Sequence, residues 1–90
     1  MQPETIDSRE QVQAWMVAYL VDLFDISPDE VDVSMPFDQY GLDSAATVAF
    51  TSDLGNWLGV KLDSRLMIEH DTVEAVARHI GTAHGDLVPA

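Results

Sequence analysis

Ninety residues bound this chain to one small domain, able to bury roughly two-thirds of the surface its unfolded form exposes. Without a cysteine it builds no disulfide framework and no thiolate zinc site, so any thiol chemistry has to come from an added group. Sixteen acids against four cations leave a formal charge of −12, which disfavours nucleic acid and anionic membrane surfaces as partners and favours basic patches on other proteins.

In chain order, residues 1–7 contain Pro3 and no apolar period, and read as a flexible lead-in. This start lacks the positive charge and apolar core of a signal peptide, and no apolar run in the chain is long enough to span a bilayer, so a cytoplasmic location is expected. Ser8-Arg9-Glu10-Gln11 fits a capping box, with Ser8 as N-cap and Gln11 reaching back. Val12, Trp15, Met16, Tyr19, Leu20 and Leu23 follow at helical spacing, which predicts a first helix from about Arg9 to Phe24 with these residues toward the core.

Between Asp25 and Asp43 the prolines Pro28 and Pro36, many acids and the lack of a helical period predict a long loop. Ile26, Val31, Val33, Met35, Phe37 and Leu42 are spaced so that side chains can pin this loop to the core, and Pro28–Val31 can form a short helical turn. The acids do not form a calcium loop. Counting from Asp25, Glu30 falls where the sharp turn needs glycine and Pro36 where the bidentate glutamate belongs.

A second helix is expected from Ser44 to about Leu58, stopped by Gly59, with Val48, Phe50 or Thr51, Leu54 and Leu58 on its buried side. Asp43 and Ser44 are both good N-cap types, and an exposed Ser44 at a helix N-terminus is also a place where unpaired amides favour an added phosphate ester. Gly55, costly inside a helix, suggests close packing, and Trp57 is expected to cover the core. Asp63 or Ser64 can cap a brief turn through Leu66, Met67 and Ile68. A last helix is expected from Asp71 or Thr72 to about His79 or Ile80, with Val73, Val76, Ala77 and Ile80 inward, Gly81 as its end and a loose tail behind it. His70, His79 and His84 are too scattered to propose a metal site.

Gly41-Leu42-Asp43-Ser44, with Pro36-Phe37 upstream and Leu58-Gly59-Val60 and His70-Asp71-Thr72-Val73-Glu74-Ala75 downstream, resembles the acyl carrier protein family, most closely the carriers of polyketide synthases. The resemblance runs from about Val12 to Ile80. It implies an all-α bundle of three main helices plus one short helix, with a long first loop, in a domain spanning residues 8–81 between a lead-in and a tail over 82–90. It also implies that Ser44 carries a covalent 4'-phosphopantetheine arm, taken from coenzyme A by a phosphopantetheinyl transferase, whose thiol holds acyl groups as thioesters. Gly41, Leu42, Asp43, Ala45 and Val48 become the candidate recognition residues around it. Partners implied are an acyl-adenylate ligase or acyltransferase, and ketosynthase or condensation enzymes of polyketide, lipopeptide or fatty-acid assembly, meeting a monomeric carrier.

This chain departs from the family pattern in having Ala45 rather than leucine after the serine, and in having Asp53 as the one charged residue of the second helix. Recognition is therefore expected to lean on small apolar contacts and on acids of the preceding loop, since Asp22, Asp25, Asp29, Glu30, Asp32, Asp38 and Asp43 fall in a stretch with no Lys or Arg between Arg9 and Lys61. A hydrolase is disfavoured: Gly41-Leu42-Asp43-Ser44-Ala45 lacks the final glycine of a nucleophile elbow. The other readings are a peptidyl carrier and, from a different class, an acidic helical interaction module in which Ser44 is only a helix cap.

Overall fold

The structure, a computed structural model, describes residues 8–83, and every described helix falls close to its expected place. The expected lead-in, the Ser8 side-chain cap, His84 and the end of the tail lie outside the described side chains. Helix α1 spans Ser8–Phe24, α2 spans Ser44–Leu58, the short α3 spans Leu66–Glu69 and α4 spans Val73–Ala83; no strand occurs among the described residues.

Val12, Met16 and Leu20 recur every fourth residue of α1 and are completely buried, while Trp15 and Tyr19 beside them are half-buried. Leu23 was expected on the same stripe but is 47% exposed. Its phase is right, but among the described residues no element covers that face of the last turn of α1. That turn ends in a Schellman arrangement, in which Asp25 takes the left-handed conformation (φ 54°) and the Ile26 amide donates to the Val21 carbonyl at 3.2 Å.

Helix α1 packs closely on α4, and Gly81 makes the approach possible. A Cβ on Gly81 would stand 3.1 Å from the Arg9 amide nitrogen and Cβ. Gly81 therefore does not end α4 as the sequence suggested; the helix runs through it to Ala83, because the glycine is used for helix crossing rather than for a left-handed stop. On the other side, α1 and α2 are joined by rings: Tyr19 stacks on Phe50 at 4.3 Å and Trp15 stacks on Trp57 at 5.5 Å. Phe50 is wholly buried, which is worth roughly 1.5–3 kcal/mol of transfer free energy.

The end of α2 explains Gly55. Its carbonyl accepts from both Gly59 (2.7 Å) and Val60 (2.9 Å), and a Cβ on Gly55 would meet the Val60 carbonyl oxygen at 2.6 Å, so the chain folds back over a bare backbone. Gly59 then takes φ 79°, the left-handed stop expected of it. Two further glances inward complete the core: Thr51 and Met67 are buried together, the Thr51 hydroxyl donating to the Thr47 carbonyl at 2.9 Å with the Met67 sulfur 3.2 Å away. In this way α2 and α3 share a satisfied polar contact inside apolar surroundings.

The long loop is more ordered than its composition suggests. It contains two 3-10 turns, the expected one at Pro28–Glu30, capped by Ser27, and one not foreseen at Phe37–Tyr40. Of the six side chains expected to pin it, Phe37 and Leu42 are buried and Val31 and Val33 pack against the core, whereas Ile26 and Met35 are only partly buried and lie outside that cluster. Its backbone is also tied to the start of α4: the Phe37 amide donates to the Asp71 carbonyl at 2.8 Å, and the Glu74 amide to the Val33 carbonyl at 3.0 Å.

Candidate functional site at the head of helix α2

The loop delivers the chain to α2 through Gly41, whose φ of 88° lies in the left-handed region that L side chains rarely adopt, and whose amide donates to the Asp38 carbonyl at 3.2 Å. Leu42 next turns inward and is buried, which anchors the approach. Asp43 then stands in extended conformation as the N-cap of α2, and its Oδ1 accepts from the Ala46 amide at 2.8 Å. Thr47 closes the first helical turn by donating to the Asp43 carbonyl at 2.9 Å.

This division of labour decides what Ser44 does locally. Sequence left the cap open between two residues; the structure gives it to Asp43, and Ser44 is the first helical residue, exposed. The Ser44 and Ala45 amides have no carbonyl four residues back inside the helix to donate to, and fifteen aligned peptides place partial positive charge at this end. A phosphate ester on the Ser44 oxygen fits this environment.

Of the other candidates, Gly41, Asp43, Ala45 and Val48 are exposed around Ser44, whereas Leu42 faces the core and acts on the site only by holding the loop. Val48 had been expected inside; it is 53% exposed, because it sits roughly a quarter turn away from the middle of the face formed by Phe50, Thr51, Leu54 and Leu58. Ile68 on α3 is 73% exposed. Two shallow grooves lie along α2, one near its head and one along its middle and far end. One, of about 300 Å³, is lined by Phe37, Asp38, Leu42, Thr47, Met67 and Ile68; the other, of about 640 Å³, runs beside α2 past Val48, Ser52, Gly55, Val60 and Lys61.

Tyr40 is the residue whose part the sequence did not reveal. Its hydroxyl accepts from the Asp32 amide at 2.8 Å and donates to the Asp32 carbonyl at 2.5 Å, while its ring stacks on Phe24 at 6.3 Å. Burial raises its phenol pKa. The Asp32 carboxylate is held low by accepting from the Ser34 hydroxyl and amide, at 2.7 and 2.9 Å. An aromatic residue before a left-handed glycine was the one available hint. Among the described residues no group of three or more His, Asp or Glu is placed to hold a metal ion, and His70 and His79 stack on each other at 4.4 Å.

The family described as the phosphopantetheine attachment site matches residues 14–80. The chain belongs to this family of acyl carrier proteins. The carrier is 35% identical over 71 residues to the acyl carrier protein TtuC of Teredinibacter turnerae, a match covering 79% of this chain and 82% of TtuC. It is also 38% identical over 64 residues to the erythronolide synthase EryA3 of Saccharopolyspora erythraea, covering 71% of this chain but 2% of that synthase, so the comparison concerns one small segment of a very long chain. In fold the carrier is similar to the solution structure of an acyl carrier protein from Anabaena sp. PCC 7120 with a variant phosphopantetheinylation-site sequence, with a TM-score of 0.80 and 28% identity over 91% of this chain and 93% of that one. The all-α carrier fold is thus shown, and with it a domain type that is a site of covalent 4'-phosphopantetheine attachment.

Proposed function

We propose that Ser44 is the attachment residue, and that the protein carries acyl groups as thioesters for polyketide-type assembly without catalysing a reaction itself. The observation that carries this reading is the exposed Ser44 hydroxyl at the head of α2, left out of capping because Asp43 supplies the cap. In the loading reaction the Ser44 oxygen attacks the phosphorus of coenzyme A that bears the pantetheine. A new phosphoester bond forms as the pyrophosphate bond breaks, adenosine 3',5'-bisphosphate leaves, and the serine proton passes to a base on the transferase. The arm supplies the thiol that this cysteine-free chain lacks.

The chain's own residues position and present. Gly41 and Asp43 set the direction of the first turn of α2, the unpaired Ser44 and Ala45 amides favour the phosphodiester, and the exposed Val48 and Ile68 offer apolar contact beside it. Tethering raises the effective concentration of cargo at each partner while leaving every contact weak enough to release. The similarity to TtuC and to a segment of EryA3 supports acyl rather than peptidyl cargo, loaded by an acyl-adenylate ligase or acyltransferase and passed to a ketosynthase or condensation enzyme in the cytoplasm. No helix among the described residues is long and apolar enough to cross a membrane.

Intact-protein mass after incubation with coenzyme A, magnesium and a broad-specificity phosphopantetheinyl transferase tests the assignment. The parent should gain one phosphopantetheine and Ser44→Ala none. A gain on the Ser44→Ala variant would move the site elsewhere, and no gain on the parent with several transferases would leave an acidic helical docking domain.

A further inference from the structure

The loop that launches Ser44 is closed on itself by one side chain. Asp32 and Tyr40 are eight residues apart, yet the single Tyr40 hydroxyl engages both the amide and the carbonyl of Asp32, using its one proton and one acceptor position in the same pair of bonds. The Asp32 end is itself built, since its carboxylate gathers Ser34 and its carbonyl also accepts from the Met35 amide at 3.1 Å. The Tyr40 end is braced by the stack on Phe24, at the last turn of α1. Immediately after Tyr40 come the left-handed Gly41, the buried Leu42 and the cap Asp43.

The backbone ties that hold the loop to the start of α4, at Val33 and Phe37, lie upstream of Tyr40. Between Phe37 and the helix, the chain is held by the 3-10 turn, with the Gln39 amide on the Pro36 carbonyl at 3.0 Å and the Gly41 amide on the Asp38 carbonyl at 3.2 Å, by the buried Leu42 side chain, and by this phenol, which alone ties the turn back to Asp32. Resting on the assignment of Ser44 above, we propose that Tyr40 is a positioning residue for phosphopantetheinylation: its hydroxyl latches residues 32–40 into one shape, so that the transferase meets Gly41, Asp43 and Ser44 already ordered. The latch touches neither coenzyme A nor the serine oxygen. Its loss leaves the bonds made in the transition state intact and adds an ordering cost to the encounter, which raises KM and leaves kcat alone.

Tyr40→Phe keeps the ring stack and removes only the hydroxyl. With a broad-specificity transferase and coenzyme A, well below the melting temperature, its KM as substrate should rise about three- to tenfold with kcat within about twofold of the parent, the size expected for one hydrogen bond. Hydrogen exchange at the Gly41 amide should quicken in the same variant. Ile80→Val, in the wholly buried part of α4, provides the comparison: it lowers the melting temperature by thinning the core and should leave both KM and Gly41 exchange unchanged. An unchanged KM in Tyr40→Phe, a fall in kcat without a rise in KM, or an equal KM rise in Ile80→Val overturns the proposal. Ser44→Ala run alongside separates the two levels, because a parent that never loads sinks the carrier assignment itself and this role with it.

Discussion

At the head of α2, Asp43 and Ser44 carry similar side chains and do different things. The Asp43 carboxylate satisfies the Ala46 amide at 2.8 Å, so removing it strips the helix of its cap and of a negative charge at the positive end of the dipole. Asp43→Ala should therefore lower stability by about 1 kcal/mol, read by urea unfolding of the unmodified protein. Ser44→Ala removes an exposed hydroxyl from the first helical position and should change stability by less than about 0.5 kcal/mol while abolishing loading. The reverse order would mean that Ser44 is the cap after all. The two candidate capping residues were legible in the sequence, but which one capped was not, since both types suit the role and only the extended backbone of Asp43 (φ −87°, ψ −178°) resolves it.

Among the elements, the α1–α2 interface depends on aromatic rings and on a hydrogen bond between Tyr19 and Asp53. The Tyr19 hydroxyl donates to Asp53 Oδ2 at 2.7 Å, connecting the two helices through the one charged residue of α2. Burial first, then donation to Asp53 and the charge of that carboxylate, push the Tyr19 phenol from 10.0 up to about 12. The folded protein thus keeps a proton that the unfolded chain gives up, so the stabilisation is complete below pH 10.0 and is lost as pH rises toward about 12. Tyr19→Phe should cost about 1 kcal/mol at neutral pH and should flatten the fall in melting temperature across that alkaline range. Part of the slope should remain, because burial also raises Tyr40, the second of the chain's two tyrosines. An identical alkaline slope in parent and variant would show that Tyr19 and Asp53 are not coupled. Trp15 and Tyr19 could be read from the sequence as facing inward, but not as half-buried members of a ring stack bridging two helices. Spacing along one helix shows a face, whereas the partner across from it depends on crossing geometry.

For the molecule as a whole, a formal charge of −12 on 90 residues makes compaction work against self-repulsion. Salt should relieve it: raising sodium chloride from ~0.02 to ~0.5 M shortens the screening length several-fold and should raise the melting temperature. In a domain of this size each 1 kcal/mol recovered corresponds to about 4–8 °C. A flat or falling melting temperature would mean that paired charges outweigh the repulsion. The same charge gives partner enzymes with basic surfaces a long-range attraction, and affinity for them should weaken over the same salt range.

The sequence by itself determined the all-α class, the bounds of α1 and α2, the glycine stop at Gly59 and the serine at the head of α2. These follow from apolar spacing, capping types and left-handed glycine, all of which act over a few residues. Only the tertiary structure decided that Gly81 is a crossing point rather than a terminator, that Leu23 and Val48 are left uncovered, and that Tyr40 reaches back to latch Asp32. Each of these depends on what another part of the chain brings close: Arg9 against Gly81, no element among the described residues over Leu23, a peptide eight residues upstream of Tyr40. Local preference leaves such positions undecided, and packing between distant segments settles them because a close-packed interior admits a side chain only where its neighbours leave room.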